Sequence, residues 1–311
     1  MNKLWEAFKR FAAPPSWDAS FTPMILGFTC AFTIGGAKLS YGAVGWMLLA
    51  FFAIALIETG KHALNEIMDF RSGDDVVLEE DHLTPFSGGK KVLRYGLVSE
   101  KQVWGIAAVT LGIACLCGLV IAFTLNIRIL IIGIVGMAMA ILYNHPWTRA
   151  IYHGLGEPCI FIAYGPTCAM GAYHMFVREF SWIPFLASLT LGFLIVNVLI
   201  MNEFPDYEAD LRTGKRNWVV RLGKEKGIDL YQGLYYASYL PLLILMLVTR
   251  SPLWLLACLN QVAFSGVVKN LTANVNIIPQ LVPSCADTIT IHARSGMFMD
   301  TVIVMLFLMA G

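Results

Sequence analysis

Charged residues are scarce in this chain. Asp, Glu, Lys and Arg make up 14% of its 311 residues, whereas a soluble domain carries about 25%. Hydrophobic residues make up 57% of the chain, and the mean hydropathy is +0.66. This balance excludes an ordinary soluble domain and indicates a protein that crosses the membrane several times.

Three further patterns are missing from the sequence. No stretch of about ten residues alternates between apolar and polar side chains, which excludes a transmembrane β-barrel. Residues 1–16 contain no apolar signal-peptide core, so the first span is expected to act as its own insertion signal. The seven cysteines and six histidines show no zinc-site spacing, which excludes a transition-metal centre of that type.

The long apolar stretches predict an all-α polytopic membrane protein. A spanning helix needs about 20 mostly apolar residues, and the chain offers about nine such stretches. They lie at residues 19–37, 43–64, 102–124, 127–143, 157–176, 182–201, 230–248, 252–268 and 297–310. Most connections between them are short, and residues 1–311 are predicted to form one membrane domain.

Basic residues predict the orientation of the chain. With about nine spans, eighteen of the 22 Lys and Arg residues, Lys61 among them, are assigned to the side that holds the N-terminus. Such a bias marks the cytoplasmic side of a membrane. The same side holds the two predicted long polar loops, at residues 65–101 and 202–229. The chain is therefore predicted to lie in the cytoplasmic membrane.

Two acidic clusters with matching spacing stand where apolar stretches end. The first contains Asn65 and Asp69, and the second contains Asn202, Asp206 and Asp210. Residues four apart lie on one face of a helix, so the carboxylates of each cluster stack on one another. Stacked carboxylates at a membrane boundary are costly unless a cation neutralises them. Two such sets predict a site for a divalent metal and a polyanion.

Cations accompany the carboxylates in both polar loops. The first loop contains Gly88 and Gly89 followed by Lys90 and Lys91, an arrangement that brings backbone N–H groups and charge to a phosphate. It is not a Walker A loop, because the required spacing is absent. The second loop contributes Lys215 and Arg221. Tyr143 and Asn144, at the end of the fourth span, either line the same site or anchor this end of the helix at the membrane interface. Glu157 begins the fifth span, where it either faces the bundle or favours the helix dipole.

In order along the chain, these landmarks resemble the UbiA superfamily of intramembrane aromatic prenyltransferases, and within it the menaquinone-pathway 1,4-dihydroxy-2-naphthoate prenyltransferases. The motifs that carry the resemblance are Phe21-Thr-Pro23 to Gly27, Asn65-x3-Asp69-x3-Gly73-x-Asp75, Leu83 to Lys90, Gly154-Leu-Gly156-Glu157 and Asn202-x3-Asp206-x3-Asp210. Departures from the family pattern are Glu66 in place of Asp, Pro205 before Asp206, the segment from His145, and the stretch 270–294. Pro205 is expected to bend its helix.

The resemblance implies about nine helices around a central cavity, capped by cytoplasmic loops. It implies Mg2+ as cofactor, and a polyprenyl diphosphate and an aromatic acceptor as substrates. The implied metal ligands are Asn65, Asp69, Asp75, Asn202, Asp206 and Asp210. Asp69, Asp206 and Asp210 are the implied catalytic residues. Lys90, Lys91, Lys215 and Arg221 are the candidates for binding diphosphate.

Other functions are open at this point. Another member of the superfamily would prenylate 4-hydroxybenzoate, homogentisate or a non-quinone acceptor. A cation-coupled transporter also keeps carboxylates within its membrane helices, although it places them near mid-bilayer on broken helices. A purely structural membrane protein would have no need for two matched acidic sets.

Overall fold

The computed structural model describes residues 3–12, 17–73, 90–144, 148 and 150–310. Within these residues the chain is helical and contains no strand. The first five α-helices are α1 (Lys3–Phe11), α2 (Asp18–Phe32), α3 (Tyr41–Ser72), α4 (Glu100–Thr124) and α5 (Arg128–Asn144). The next four are α6 (Gly156–Ile162), α7 (Cys168–His174), α8 (Trp182–Thr213) and α9 (Trp218–Leu222). The last four are α10 (Lys224–Ala237), α11 (Tyr239–Thr249), α12 (Gln261–Asn274) and α13 (Ile278–Ala310).

Six helical segments are long and apolar enough to cross a membrane. They are Tyr41–Ser72, Glu100–Thr124, Trp182–Thr213, Lys224–Thr249, Pro252–Asn274 and Ile278–Met309, and a shorter apolar helix spans Arg128–Tyr143. The predicted span at 19–37 is the 15-residue helix α2, and that at 157–176 is a broken helix. The all-α, multi-pass prediction is confirmed, while the count of nine spans and the capping loops stay predictions.

The last predicted span was too short. Residues 297–310 are the second half of α13, which begins at Ile278 and runs for 33 residues. Polar residues such as Ser284, Thr288 and His292 lower the hydropathy of its first half, yet all three side chains are buried against neighbouring helices. Hydropathy counts such residues as solvent-exposed, which is why the sequence placed the start of this helix too late.

Both acidic clusters lie on helices rather than in loops. The predicted loops at 65–101 and 202–229 begin too early, because α3 continues to Ser72 and α8 continues to Thr213. Pro205 does not interrupt α8. Each helix ends at a glycine in the left-handed conformation, Gly73 with φ 88° and Gly214 with φ 80°. Glycine adopts this conformation at little cost and commonly ends helices.

A short π-helix interrupts the fifth predicted span. It covers Ala163–Thr167, contains Pro166, and lies between α6 and α7. Pro166 has no backbone N–H and therefore cannot complete a regular α-helical ladder. The segment also brings the Gly165 backbone to α8, where a Cβ on Gly165 would lie 2.9 Å from the Gly192 Cα. The irregular turn thus allows close packing beside the central helix.

The helix α8 is the centre of the bundle. In its apolar window 67% of residues are buried, compared with at most 39% in the other long helices. One core cluster contains Leu191 of α8 together with Leu26, Tyr173, Leu242 and Met299 from four neighbouring helices. This position is suited to a helix that presents polar residues to the inside of the bundle.

Helix α2 approaches α7 through Gly27, the last residue of the first motif that carries the resemblance. A Cβ at this position would lie 2.1 Å from the backbone oxygen of Ala169. We expect Gly27→Ala to destabilise the protein by about 1–3 kcal/mol, the usual cost of overpacking. The check is thermal unfolding of the purified protein in detergent.

Gly105→Ala is the matched control for Gly27→Ala. Gly105 lies inside α4, and a Cβ there would meet no atom within 4 Å. Alanine in a helix interior is favoured over glycine by about 1 kcal/mol. The control should therefore keep or raise the melting temperature. Equal melting temperatures for the two variants would contradict the packing argument.

Candidate active site

The two acidic clusters meet at the C-terminal ends of α3 and α8. Asp69 stands four residues before the terminal Gly73, and Asp210 stands four residues before the terminal Gly214. Lys215 follows Gly214 and joins the two helices. Its Nζ lies 3.0 Å from the Asp69 Oδ1 and 3.7 Å from the Asp210 Oδ1. One ammonium group therefore contacts a carboxylate from each predicted motif. Lys215 and Asp69 are 146 residues apart in the sequence.

The two motifs are offset by one helical turn. Counted back from the terminal glycines, Asp69 matches Asp210, so Asn65 matches Asp206 rather than Asn202. The residue at the position of Asn202 in the first helix is Lys61. The equal Asn-x3-Asp spacing in the sequence therefore does not mean equal positions in the bundle.

A buried asparagine supports the second carboxylate cluster from the following loop. The Asn217 Nδ2 donates to the Asp210 Oδ2 at 2.7 Å, and the Asn217 Oδ1 accepts from the Val220 N–H at 2.8 Å. Asn217 is also the N-terminal cap of α9. The loop after α8 is thus folded back over Asp210, which fixes Lys215 between the two helix ends.

The oxygen ligands at this site fit a hard divalent cation. The Asn202 Oδ1 is buried, and within the described residues it accepts no hydrogen bond. Carboxylate and amide oxygens are what Mg2+ prefers, usually together with phosphate oxygens. No group of three or more His, Cys, Asp or Glu side chains is arranged to hold a metal in the described parts of the chain. Asp75, a predicted ligand, lies outside the described residues.

Lys90 and Lys91 belong to the segment that precedes α4. Glu66 fixes this segment against α3, because its carboxylate accepts the Lys90 N–H at 2.9 Å and the Leu93 N–H at 2.8 Å. Burial lowers the pKa of Lys90 below its ordinary value, and the nearby charge of Lys61 acts in the same direction. Lys91 adopts a left-handed backbone conformation with φ 60°. Glu66, the departure from the family's usual Asp, thus anchors a loop.

Tyr143 lies among the charged groups of the site. It is within electrostatic range of Lys215 and Asp69, and of Glu157 and Glu203. Its ring packs on Gly156, where a Cβ would lie 3.1 Å from the Tyr143 Cε2. The side chain of Asn144, the other predicted acceptor-pocket residue, lies outside the described residues.

Two buried glutamates hold the second loop on the bundle. The Glu157 Oε1 accepts the Trp218 N–H at 2.7 Å, and the Glu203 Oε2 accepts the Val219 N–H at 3.4 Å. Arg221, on the same short helix, donates from Nε to the Arg216 backbone oxygen at 2.6 Å. Of the two interpretations of Glu157, the structure favours the one in which it faces the bundle.

The sequence analysis missed a second charged cluster. Glu58 and Lys61 lie three residues apart inside α3, and Lys61 also donates to the hydroxyl of Tyr164. Lys61 was assigned to the cytoplasmic side, and the structure places it inside α3, which is long and apolar enough to cross a membrane. Two opposite charges three residues apart inside the predicted span 43–64 were the signal that could have identified them.

Known proteins resemble this chain over most of its length. The 1,4-dihydroxy-2-naphthoate octaprenyltransferase of Mycobacterium tuberculosis is 27% identical over 76% of this chain and 77% of its own. The 2-carboxy-1,4-naphthoquinone phytyltransferase of Synechocystis is 25% identical over 96% of this chain and 92% of its own. These relatives confirm the predicted resemblance to the naphthoate branch of prenyltransferases.

Solved structures show the same fold. A UbiA homolog from Archaeoglobus fulgidus, bound to GPP and Mg2+, superposes with a TM-score of 0.66 at 16% identity and covers 95% of this chain and 99% of its own. At that identity the likeness concerns the fold alone. The UbiA prenyltransferase family model matches residues 24–274, well over half of the chain. The chain therefore belongs to the UbiA prenyltransferase family.

Proposed function

We propose that this chain transfers a polyprenyl group from a polyprenyl diphosphate to 1,4-dihydroxy-2-naphthoate in menaquinone biosynthesis. The names of the relatives from Mycobacterium tuberculosis and other bacteria support this acceptor. The observation that carries the proposal is the pair of contacts from Lys215 to Asp69 and Asp210. They bring the carboxylates of both motifs and a cation into one site, which is what a metal-bound diphosphate requires.

The carboxylate and amide oxygens of the two motifs are proposed to hold Mg2+. The residues are Asn65, Asp69, Asp75, Asn202, Asp206 and Asp210, with Asp69, Asp206 and Asp210 as the catalytic residues. Mg2+ bound there would neutralise the charge that develops on the leaving diphosphate. Lys90, Lys91, Lys215 and Arg221 are proposed to bind the diphosphate oxygens directly. The diphosphate would compete with Asp69 and Asp210 for the Lys215 ammonium group.

In the reaction, the bond between the allylic carbon and the diphosphate oxygen breaks, and its electron pair leaves with the diphosphate. The lysine and arginine side chains stabilise that negative charge. The allylic carbon then forms a bond to the electron-rich ring carbon that bears the carboxylate, which leaves the ring positively charged. The naphthoate carboxylate leaves as carbon dioxide, and its bonding electrons restore the aromatic ring. Tyr143 and Asn144 are proposed to line the acceptor pocket, and the apolar bundle excludes water.

The membrane setting supports the same proposal. We place the chain in the cytoplasmic membrane as one domain of about nine helices, with both aspartate-rich motifs on the cytoplasmic face. The excess of Lys and Arg assigned to that side supports this orientation. Membership of a prenyltransferase family argues against the alternative of a cation-coupled transporter. Other aromatic acceptors are alternatives within the same reaction class.

A product assay tests the proposed acceptor. The purified protein is given Mg2+, a radiolabelled polyprenyl diphosphate, and either 1,4-dihydroxy-2-naphthoate or 4-hydroxybenzoate. We expect a prenylated, decarboxylated product from the naphthoate alone. Product from the benzoate alone would contradict the naphthoate as the acceptor but would support prenyl transfer as the reaction. Absence of product and of diphosphate release with every acceptor would contradict prenyl transfer itself.

Substitution of the central carboxylates should abolish product formation. We expect Asp69→Ala and Asp206→Ala each to lower kcat by on the order of 100-fold or more, because the charge on the leaving group loses its stabilisation. Glu208→Ala is the matched control. Glu208 lies on α8, as Asp206 does, and its side chain is 50% exposed. Turnover close to wild type in both aspartate variants would rule out this mechanism.

Metal removal provides a separate test. Treatment with a chelator should stop turnover, and added Mg2+ should restore it, because carboxylates that face a diphosphate need a cation between them. The assay follows diphosphate release as the free Mg2+ concentration is titrated. Full activity after exhaustive chelation would contradict a metal-dependent reaction.

A further inference from the structure

The face of α3 that carries the first motif continues into the apolar part of the helix. Glu58, Lys61, Asn65 and Asp69 are spaced by three or four residues and therefore lie on the same face. Lys61 precedes Asp69 by eight residues, which corresponds to about 12 Å along the helix axis. A molecule held at Asp69 that extends along this face thus meets Lys61 next.

Glu58 and Lys61 form a buried ion pair. The Glu58 side chain is 2% exposed, and its carboxylate accepts from the Lys61 Nζ at 2.5 Å and from the Ser20 Oγ at 2.8 Å. Charged residues inside a membrane bundle are costly and are usually functional. Neither residue is among those proposed to hold the metal or the diphosphate. It therefore calls for a function of its own.

Lys61 differs from its partners in being accessible. Its side chain is 24% exposed, whereas Glu58 and Tyr164, which both contact its ammonium group, are buried. The ammonium group also lies 4.9 Å from the centre of the Tyr164 ring. Glu58 and Tyr164 thus fix the position of a cation that can still be reached by a ligand.

The accessible charge in this region is positive. Lys90 lies within electrostatic range of Lys61, Glu58 and Glu66, so two ammonium groups are near two carboxylates. Both carboxylates are buried and engaged, since Glu58 pairs with Lys61 and Glu66 accepts the N–H groups of Lys90 and Leu93. A ligand that reaches the partly exposed Lys61 side chain therefore meets an ammonium group, which suits an anion. Tyr143 is within electrostatic range of Lys215 and of Tyr164.

We propose that Lys61, held in place by Glu58 and Tyr164, binds the anionic group of the aromatic acceptor. This inference rests on the proposed prenyl transfer, because it assumes a donor diphosphate at Asp69 and Asp210. A donor whose prenyl chain extends along this face of α3 would bring its allylic carbon to the side of the site where Lys61 lies, so an acceptor held at Lys61 would lie beside that carbon. The carboxylate of the acceptor then pairs with the Lys61 ammonium group. Lys61 is a specificity-determining residue in this arrangement.

Equilibrium binding tests the inference without turnover. Affinities are measured for 1,4-dihydroxy-2-naphthoate, for 1,4-dihydroxynaphthalene, which lacks the carboxylate, and for a prenyl diphosphate with Mg2+. We expect Lys61→Met to weaken the naphthoate on the order of 10- to 100-fold, the effect of losing a hydrogen bond to a charged group. The other two ligands should bind as they do to the wild type.

Two results would overturn the inference. If Lys61→Met binds the naphthoate with unchanged affinity, Lys61 does not bind the acceptor. If the variant binds the prenyl diphosphate more weakly instead, Lys61 binds the donor. Binding of 4-hydroxybenzoate and of phenol, which lacks the carboxylate, is measured as well. This comparison distinguishes an error in the role of Lys61 from an error in the proposed acceptor. If the wild type binds the benzoate and not the naphthoate, and Lys61→Met weakens only the benzoate, the acceptor is wrong and the subsite stands.

Control variants separate binding from stability. Lys61→Arg keeps the positive charge, so the naphthoate affinity should stay within about threefold of the wild-type value. Lys61→Met leaves Glu58 buried without its cation, which is destabilising. The double variant Glu58→Gln with Lys61→Met removes both charges and should show the same selective loss. Lys101→Met is the matched control, because Lys101 is an exposed lysine in the first turn of α4.

Discussion

The ion pairs of Lys215 are the interactions on which the site depends. Two carboxylates from the ends of α3 and α8 would repel each other in an apolar bundle, and Lys215 neutralises them both. Its position follows from Gly214, which ends α8, and from Asn217, which draws the next loop back to Asp210. The same positive charge that holds the helix ends together is suited to a phosphate.

The acidic residues beside the motifs have a different function from those within them. Glu66, Glu157 and Glu203 each accept backbone N–H groups from a polar segment that follows a long helix. Hydrogen-bonded in this way, a buried carboxylate is a structural anchor rather than a free ligand. The first anchor fixes the segment that contains Lys90 and Leu93, and the other two fix the start of α9. Within the described residues, the candidate ligands therefore stand on α3 and α8, whereas Lys90, Lys91 and Lys215 stand on segments between helices.

The sequence predicted the helical fold and the two motifs because long apolar stretches and i, i+4 carboxylates leave clear patterns. The sequence predicted that the last span begins near residue 297, whereas α13 begins at Ile278. Polar residues such as His292 lower the hydropathy of its first half, although they are buried in the fold. The sequence aligned Asn65 with Asn202, although the helix ends make Asp206 the counterpart of Asn65. The contacts of Lys61 with Tyr164 and of Glu58 with Ser20 could not be predicted, because they depend on which helices pack together.

The π-helical turn at Ala163–Thr167 constrains how this chain can change length during evolution. A π turn closes hydrogen bonds from residue i to i+5, one residue more than an α turn. Loss of a single residue there would restore a regular helix and rotate everything beyond it by about 100° relative to α6. Tyr164 and Glu157 could not then both keep their present neighbours. We therefore expect natural variation in length to occur at loops and to spare this turn.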